Sequence, residues 1–365
     1  MLNLSDISVV LPSLDPDEKL ITVINGLLEY GFTDIILVND GSKPENLHYF
    51  DEAAAHPEVH LLHHSVNRGK GAALKTAFTW FLENRPDAKG VITVDGDNQH
   101  HPADTKACAE HMLEKERLVL GVRDFDQPDV PFRSRNGNKI TSFVFKVFVG
   151  MTISDTQTGL RAIPRKDLEG LNTIRGDRFE YETNMLLAMK SHNIPFYEVK
   201  IRTVYIEENK SSHFRAVRDS WRIYKLILAH FFKYTLSSLA SSVVDEGLFV
   251  LLTWLLQHKL TDPLLTAIPF TVARLVSSFL NFFVNKKYVF DASVSTGKAM
   301  AKYFALVIPQ AVAHLVLTYG AYLLFNIAPD ATFLRGLIYA IVMTALFFAS
   351  FIIQQRWVFT GNKEK

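Results

Sequence analysis

The distribution of charge along the chain constrains its fold more than any other feature of the sequence. Residues 1–235 hold 61 of the 77 Asp, Glu, Lys and Arg side chains, and residues 236–365 hold only 16. Four apolar stretches lie in the second part, at about 236–256, 264–284, 304–325 and 333–353. Each is long enough for one helix to cross the hydrocarbon layer of a bilayer. The sequence therefore predicts a water-soluble first part followed by four transmembrane helices.

Bulk composition excludes several classes of protein. The net charge of +1 gives no basic excess for a nucleic-acid partner. Cys108 is the only cysteine, so an intramolecular disulfide and a cysteine-based zinc site are excluded, and a reducing compartment fits. The apolar run Ile7 to Leu14 is too short for a secretory signal. The loops and tails expected on one side of the four helices hold twelve Lys and Arg, against Lys259 and Arg335 on the other. We therefore expect the soluble part and both termini in the cytoplasm, at a cell (inner) membrane.

Apolar runs of strand length alternate with helix-length segments in the soluble part. The predicted strands are 7–11, 34–38, 59–63 and 91–94, and the predicted helices are 17–30, 45–55 and 71–83. This alternation predicts an α/β fold with a mostly parallel, Rossmann-like sheet. Ligands of such sheets bind at the carboxyl ends of the strands. Each predicted strand is followed there by a polar cluster, so four loops are expected to meet at one cleft.

The cluster Asp95-Gly96-Asp97-Asn98-Gln99 carries the most chemistry. Two carboxylates and an amide oxygen at this spacing suit a hard divalent cation that also binds a diphosphate. Two acids in a solvated turn are the simpler alternative. In the other loops, Asp40 is a candidate acceptor for the imide of uracil, and Lys70 at a helix start is placed for phosphate. A simple turn and helix start is the alternative at both positions.

Basic and acidic residues further along the chain complete the candidate site. Arg123, and the run Arg133-Ser134-Arg135 that opens a helix, suit an anionic lipid head group or simply a solvated basic face. Glu180 and Glu182 open another helix and are two residues apart, so they do not share a helix face. Glu182 is our choice for the cleft.

Taken together, these motifs resemble family 2 glycosyltransferases of the GT-A fold, in the branch that acts on dolichyl or undecaprenyl phosphate. The resemblance covers about the first 210 residues. The matching motifs are the proline at the end of the first strand, residues 39–42, Arg68-Gly69-Lys70-Gly71, Asp95-x-Asp97-x-Gln99 and Thr158-Gly159-Leu160-Arg161. One departure is Leu14-Asp15-Pro16-Asp17, where the family usually has Asn-Glu.

The resemblance and the chemistry of the residues together predict a set of roles. The expected nucleotide contacts are Pro12, Asp15, Asp40, Lys70 and Asp95, and the expected ligands of Mg²⁺ or Mn²⁺ are Asp95, Asp97 and Gln99. The lipid phosphate is assigned to Arg123, Arg133, Ser134 and Arg135, and the sugar or cleft to Gly159, Arg161 and Glu182. Asp97, Arg123 and Arg133 are the predicted catalytic residues.

The second part of the chain has an internal repeat. Residues 282–290 align without gaps with residues 351–359, each after the second helix of a predicted hairpin. The pattern resembles the small four-helix family called GtrA, over about residues 230–361. We therefore divide the chain into a catalytic domain (1–213), a basic amphipathic interfacial helix (214–233) and a membrane domain (234–361). Asp245 and Glu246 share a membrane depth with Arg274, so an ion pair is expected, either fixing helix register or handling the lipid phosphate.

The expected function is metal-dependent, inverting transfer of a sugar from a nucleotide-sugar, favouring a UDP-sugar, to undecaprenyl or a related polyprenyl phosphate. The product would serve cell-envelope glycosylation from the cytoplasmic leaflet. A processive polysaccharide synthase is one alternative, because Gln354-Gln355-Arg356-Trp357 is similar to the Q-x-x-R-W motif of such enzymes. Translocation of a lipid-linked sugar by the four helices and a purely structural anchor are others. Small membrane hairpins also make a homo-oligomer a reasonable expectation.

Overall fold

The computed structural model describes residues 3–127, 130–202, 216–290, 292, 294–328 and 330–359. The chain forms two compact units, residues 1–226 and 227–365. The boundary between them lies inside the segment for which the sequence predicts an interfacial helix.

The described part of the first unit contains a seven-stranded sheet. Its strand order is β3-β2-β1-β4-β6-β5-β7, and β6 runs antiparallel to both of its neighbours. All other neighbouring strands are parallel, so the prediction of a mostly parallel sheet is confirmed. The strands are β1 (Ile7–Ser13), β2 (Ile35–Asn39), β3 (Val59–His63), β4 (Gly90–Thr93), β5 (Leu118–Arg123), β6 (Arg161–Pro164) and β7 (Phe196–Ile201).

Helices connect the strands and cover the sheet. The helix α1 shows the pattern that places it, because Leu20, Ile24 and Leu27 recur at helical spacing and all three are buried. Pro102 begins α4, and the ring of His101 accepts a hydrogen bond from the next free backbone N–H. The helices are α1 (Lys19–Glu29), α2 (Leu47–Ala54), α3 (Lys70–Asn84), α4 (Pro102–Lys115), α5 (Phe132–Val144), α6 (Arg165–Asn172) and α7 (Glu180–Ser191).

The sheet register brings the carboxyl ends of the central strands together. Ser13, the last residue of β1, is level with Asn39, the last residue of β2. Val10 of β1 is level with Thr93, the last residue of β4. The β2 strand is buried along its whole length because helices pack on both faces of the sheet. The polar loops that follow these strands therefore meet along one edge.

The second unit contains four helices that are long and apolar enough to cross a membrane, as predicted. The helices are α8 (Ala216–Leu256), α9 (Asp262–Val284), α10 (Thr296–Leu324) and α11 (Thr332–Ile353), and their apolar spans are Ile227–Leu256, Leu264–Val289, Thr296–Leu324 and Phe333–Val358. The α8 helix is continuous through residues 233–236, where the sequence predicts a change from interfacial to spanning helix. Residues 203–215 and the side chains of 216–223 lie outside the described residues, so the predicted basic face is outside them as well.

The internal repeat is present in the structure as two turns of π-helix, Asn285–Val289 and Gln354–Val358. The first residues of the two turns are equivalent in the repeat, and Asn285 Nδ2 donates to Gln354 Oε1 at 3.1 Å. Equivalent Phe290 and Phe359 stack with their ring centroids 5.0 Å apart. The repeat therefore places matching amide and aromatic groups against each other in the core of the second unit.

The predicted membrane ion pair forms with one of the two acids. Arg274 Nη2 lies 3.0 Å from Asp245 Oδ2, and Ser277 donates to the other oxygen of Asp245. Glu246 makes no ion pair among the described residues and lies beside Gly247 on the surface of α8. Its predicted share in the pair is therefore wrong, because the two acids are neighbours on one helix and point in different directions.

Candidate active site

Three loops of the first unit meet around the ammonium group of Lys70. Lys70 Nζ lies 2.7 Å from Asp95 Oδ1 and 3.1 Å from Glu182 Oε1. Lys70 begins α3, Asp95 follows β4, and Glu182 lies in the first turn of α7. The sequence predicts each of these residues for the cleft, and the structure shows that they are bound to one another. The cluster of Lys70, Asp95 and Glu182 is called the lysine clamp below.

The two glycines beside Lys70 explain how α3 comes so close to α7. Gly69 has a φ of +102°, which side chains rarely adopt. A Cβ on Gly71 would lie 2.5 Å from the Cβ of Tyr181. The backbone N–H of Ala72 also donates to the carbonyl of Asp177. The sequence Arg68-Gly69-Lys70-Gly71 therefore serves close packing between helices as well as the turn that its glycines predict.

The charges of the clamp stabilise each other. Burial by itself raises the pKa of Asp95, but Lys70 and His100 outweigh it and hold that pKa well below its usual range. Burial lowers the pKa of Lys70, and the two carboxylates outweigh it, so the net shift is upward. Lys70 is therefore a cation, and Asp95 an anion, throughout the physiological pH range.

Asp97 lies in the same loop with an opposite shift. Burial, followed by the charge of Asp95, raises the pKa of Asp97. The backbone N–H of Gln99 donates to Asp97 Oδ1 at 3.1 Å, in a turn where Asn98 has a φ of +61°. The nearby carboxylates of Asp95 and Asp97 thus repel each other, and a cation between them would relieve this repulsion.

The donor set fits a divalent metal that arrives with its own oxygen ligands. Among the residues that the structure describes, no three His, Cys, Asp or Glu side chains form a ready metal cluster. Asp95 and Asp97 supply two carboxylates, and Gln99 can add an amide oxygen. Mg²⁺ and Mn²⁺ accept such hard oxygen ligands, and Mg²⁺ in particular commonly completes its shell with water and phosphate oxygens.

Gly159 and Arg161 support the site from behind. A Cβ on Gly159 would lie 2.3 Å from Asp95 Oδ2, so only glycine leaves room for that carboxylate. Arg161 is 1% exposed, and its guanidinium donates to the carbonyls of Thr158 and Glu182. The predicted cleft contact of Arg161 is therefore wrong. This arginine ties the 158–161 turn to the start of α7, which positions Glu182.

The predicted nucleotide contact of Asp40 also differs from what the structure shows. Asp40 is 3% exposed, and its carboxylate accepts from the backbone N–H groups of Arg68 and Gly69. It lies 2.6 Å from His64 Nδ1 as well. Because these partners use the carboxylate inside the protein, Asp40 shapes the loop that ends at Lys70 and does not face a base.

The first two loops are joined by Asp15. Its carboxylate accepts from the backbone N–H of Lys43, and its own N–H donates to the hydroxyl of Ser42. Asp15 has a φ of +48°, so this loop is held in an unusual conformation. Pro12 lies beside Val38 in the β1–β2 pair. Both residues remain at the carboxyl edge of the sheet, where the sequence places them.

The basic residues assigned to the lipid phosphate have internal partners. Arg123 binds the fully buried Asp155 through two nitrogen atoms, at 2.7 and 3.1 Å. Arg135 donates to the carbonyls of Phe125 and Gln127. Ser134 is half-buried, and the side chain of Arg133 lies outside the described residues. The arginines at 123 and 135 thus hold the segments around β5 and α5.

Sequence reasoning missed two residues that organise the site. Asp155 is the buried partner of Arg123, and His64 connects Asp40 to the hydroxyl of Thr76. Asp155 stands in the same predicted turn as Gly159, so its position was visible in the sequence. Its partner was not, because the pair joins residues 32 positions apart.

Comparison with known proteins gives the class of this chain. Residues 8–171 match the family described as Glycosyl transferase family 2. The chain therefore carries a family 2 glycosyltransferase domain and is a glycosyltransferase.

Its relatives include archaeal and bacterial proteins. An uncharacterized protein of Methanocaldococcus jannaschii is 29% identical over 236 residues, 63% of this chain and 95% of that protein. The UDP-N-acetylglucosamine–dolichyl-phosphate N-acetylglucosaminyltransferase of Methanococcus voltae is 26% identical over 55% of this chain and 86% of its own length. The polyprenol monophosphomannose synthase of Mycolicibacterium smegmatis is 26% identical over 54% of this chain and 77% of its own length.

Proposed function

We propose that this glycosyltransferase moves one sugar from a UDP-sugar to a polyprenyl phosphate and inverts the anomeric configuration. The lysine clamp beside Asp97 is the observation that carries the proposal, because it concentrates a cation and two candidate metal ligands at the carboxyl edge of the sheet. Two relatives are named for polyprenyl-phosphate acceptors, and one of them for a UDP-sugar donor. The four apolar helices would keep the protein at the membrane that holds such an acceptor.

The chemistry of this transfer fits the residues of the site. A polyprenyl phosphate is already anionic near neutral pH, so its oxygen can attack the anomeric carbon without a strong general base. The larger need is to stabilise the leaving UDP and to orient the two reactants. Lys70 is placed to donate hydrogen bonds to a diphosphate, and the helix N-terminus that it begins adds a favourable field for anions.

Asp95, Asp97 and Gln99 are the residues that would hold a divalent metal. Bound there, Mg²⁺ or Mn²⁺ would supply positive charge against the diphosphate. Glu182 keeps the ammonium of Lys70 at the site, and Gly159 keeps the space that the Asp95 carboxylate needs. A single displacement at the anomeric carbon would then leave a polyprenyl-phosphate monosaccharide on the cytoplasmic leaflet.

A processive polysaccharide synthase is disfavoured by the position of the motif that suggested it. Gln354 is 2% exposed and binds Asn285, Ser350 and Tyr234 within the second unit. Gln354-Gln355-Arg356-Trp357 is thus the π-helical turn of the internal repeat and serves packing among the apolar helices.

Release of UDP tests the proposal. Purified full-length protein in detergent is incubated with UDP-sugars, with and without undecaprenyl phosphate and with and without EDTA. We expect UDP release to need both the lipid phosphate and a divalent metal. UDP release at the same rate in EDTA would contradict the metal site, and release without any lipid phosphate would contradict the acceptor.

A further inference from the structure

The Asp95 carboxylate is fully engaged in the structure. Its Oδ1 atom binds Lys70 at 2.7 Å, and its Oδ2 atom faces His100 Nε2 at 3.5 Å. The backbone at Gly159 closes a further side, since even a methyl group there would overlap Oδ2. The candidate metal ligand is therefore already bound to an internal cation.

Lys70 has two carboxylate partners, and this distinguishes it from an ordinary surface lysine. Its side chain is 19% exposed, and Glu182, the second partner, is 15% exposed. Removing the ammonium from Asp95 without another anion would leave buried charges uncompensated, which is costly in a partly desolvated site. A donor diphosphate would supply the missing anion.

We infer that Lys70 acts as a placeholder cation: its ammonium stays on Asp95 until a donor diphosphate draws it away, so that the metal and the nucleotide bind together. Glu182 is the positioning residue that keeps the ammonium within reach during this exchange. This inference rests on the proposed function and adds an order to it, because free metal binds weakly until the diphosphate is present. The coupling is reciprocal, so the metal strengthens nucleotide binding by the same factor.

Binding of Mn²⁺, measured without turnover, tests the inference. The full-length protein in detergent is titrated with Mn²⁺, and free Mn²⁺ is followed by electron paramagnetic resonance, with and without saturating UDP. We expect UDP to tighten Mn²⁺ binding at least about tenfold in the unaltered protein, within the usual range of coupling between sites.

Lys70→Met removes the placeholder. Mn²⁺ should then bind the UDP-free protein about tenfold more tightly than it binds the unaltered protein, and the gain from UDP should shrink by the same factor. Lys70→Gln, which keeps a hydrogen-bond donor, should shift in the same direction if the methionine variant folds poorly. Lys75→Met is the matched control, because Lys75 pairs with Asp177 at 3.0 Å, outside the clamp.

The outcomes separate the inference from the proposed function. Equal Mn²⁺ affinity in the UDP-free Lys70→Met and Lys70→Gln variants and the unaltered protein would overturn the placeholder role. An equal gain in Lys75→Met would overturn it too, because the effect would then be one of general charge. A complete lack of Mn²⁺ binding in the presence of UDP would instead refute the metal site on which the proposed function depends.

Discussion

Gly159→Ala tests the geometry around Asp95 with the smallest possible change. The new methyl carbon would lie 2.3 Å from Asp95 Oδ2, whereas ordinary contact begins at 3.4 Å. The carboxylate must therefore retreat by about 1 Å, and such a shift would break its 2.7 Å contact with Lys70. Misplacing a group at the reacting centre by about 1 Å typically lowers the rate about a hundredfold.

The cost in stability should be smaller than the loss of activity suggests. Overpacking a close contact lowers the free energy of unfolding by about 1–3 kcal/mol, and Gly159 does not have a positive φ that alanine would strain. The assay is the steady-state rate of sugar transfer, alongside thermal unfolding of the same preparation.

Gly170→Ala is the control for the same chemical change. Gly170 lies on α6, and a Cβ there meets no atom within 4 Å. Its activity should be unchanged, with a stability gain of about 0.5–1 kcal/mol from helix propensity. A folded Gly159→Ala protein with a normal rate would refute the packing of Gly159 against Asp95 as a requirement for catalysis.

Three further changes probe other parts of the account. Asp97→Asn should lower transfer at least about a hundredfold while the protein still folds, and normal turnover would remove Asp97 from the metal site. Asp155→Asn leaves Arg123 without its buried partner and should lower the free energy of unfolding by about 3 kcal/mol in urea titrations; unchanged stability would argue against the pair. Burial raises the pKa of Cys108 to about 12, so iodoacetamide at pH 8 should label the unfolded but not the folded protein. Rapid labelling of folded protein would show that this thiol is accessible.

The sequence predicts the first half of the sheet well, because its signals are local. Apolar runs of strand length specify β1 to β4, and helix-length segments between them specify parallel connections. The antiparallel β6 strand depends on a long-range contact, with Thr93 level with Arg161. Local pattern carries no information about such a pairing, so the edge formed by β6, β5 and β7 emerges only in the structure.

The candidate site shows the same division. Residue type and loop position were enough to select Lys70, Asp95 and Glu182. Their mutual contacts were not predictable, since Lys70 and Glu182 are far apart in sequence and meet only because two glycines let α3 approach α7. Asp40 was assigned outward to a ligand for a related reason: a carboxylate in a loop looks the same in sequence whether it faces solvent or backbone N–H groups.

The second unit follows the sequence closely in the number of its apolar helices. The repeat also predicts equivalent turns, and both become π-helical. The continuous α8 helix and the position of Glu246 were not predicted, because helix ends and the rotation of a helix about its axis depend on packing against neighbours.

The most direct test of the central claim is the mass of the lipid product. Purified full-length protein is incubated with undecaprenyl phosphate, Mg²⁺ or Mn²⁺ and a panel of UDP-sugars, and the lipid fraction is then examined by mass spectrometry. The account predicts undecaprenyl phosphate carrying one hexose or N-acetylhexosamine, formed only with metal present. A lipid carrying a long sugar chain, or a sugar transferred only to a water-soluble acceptor, would contradict it.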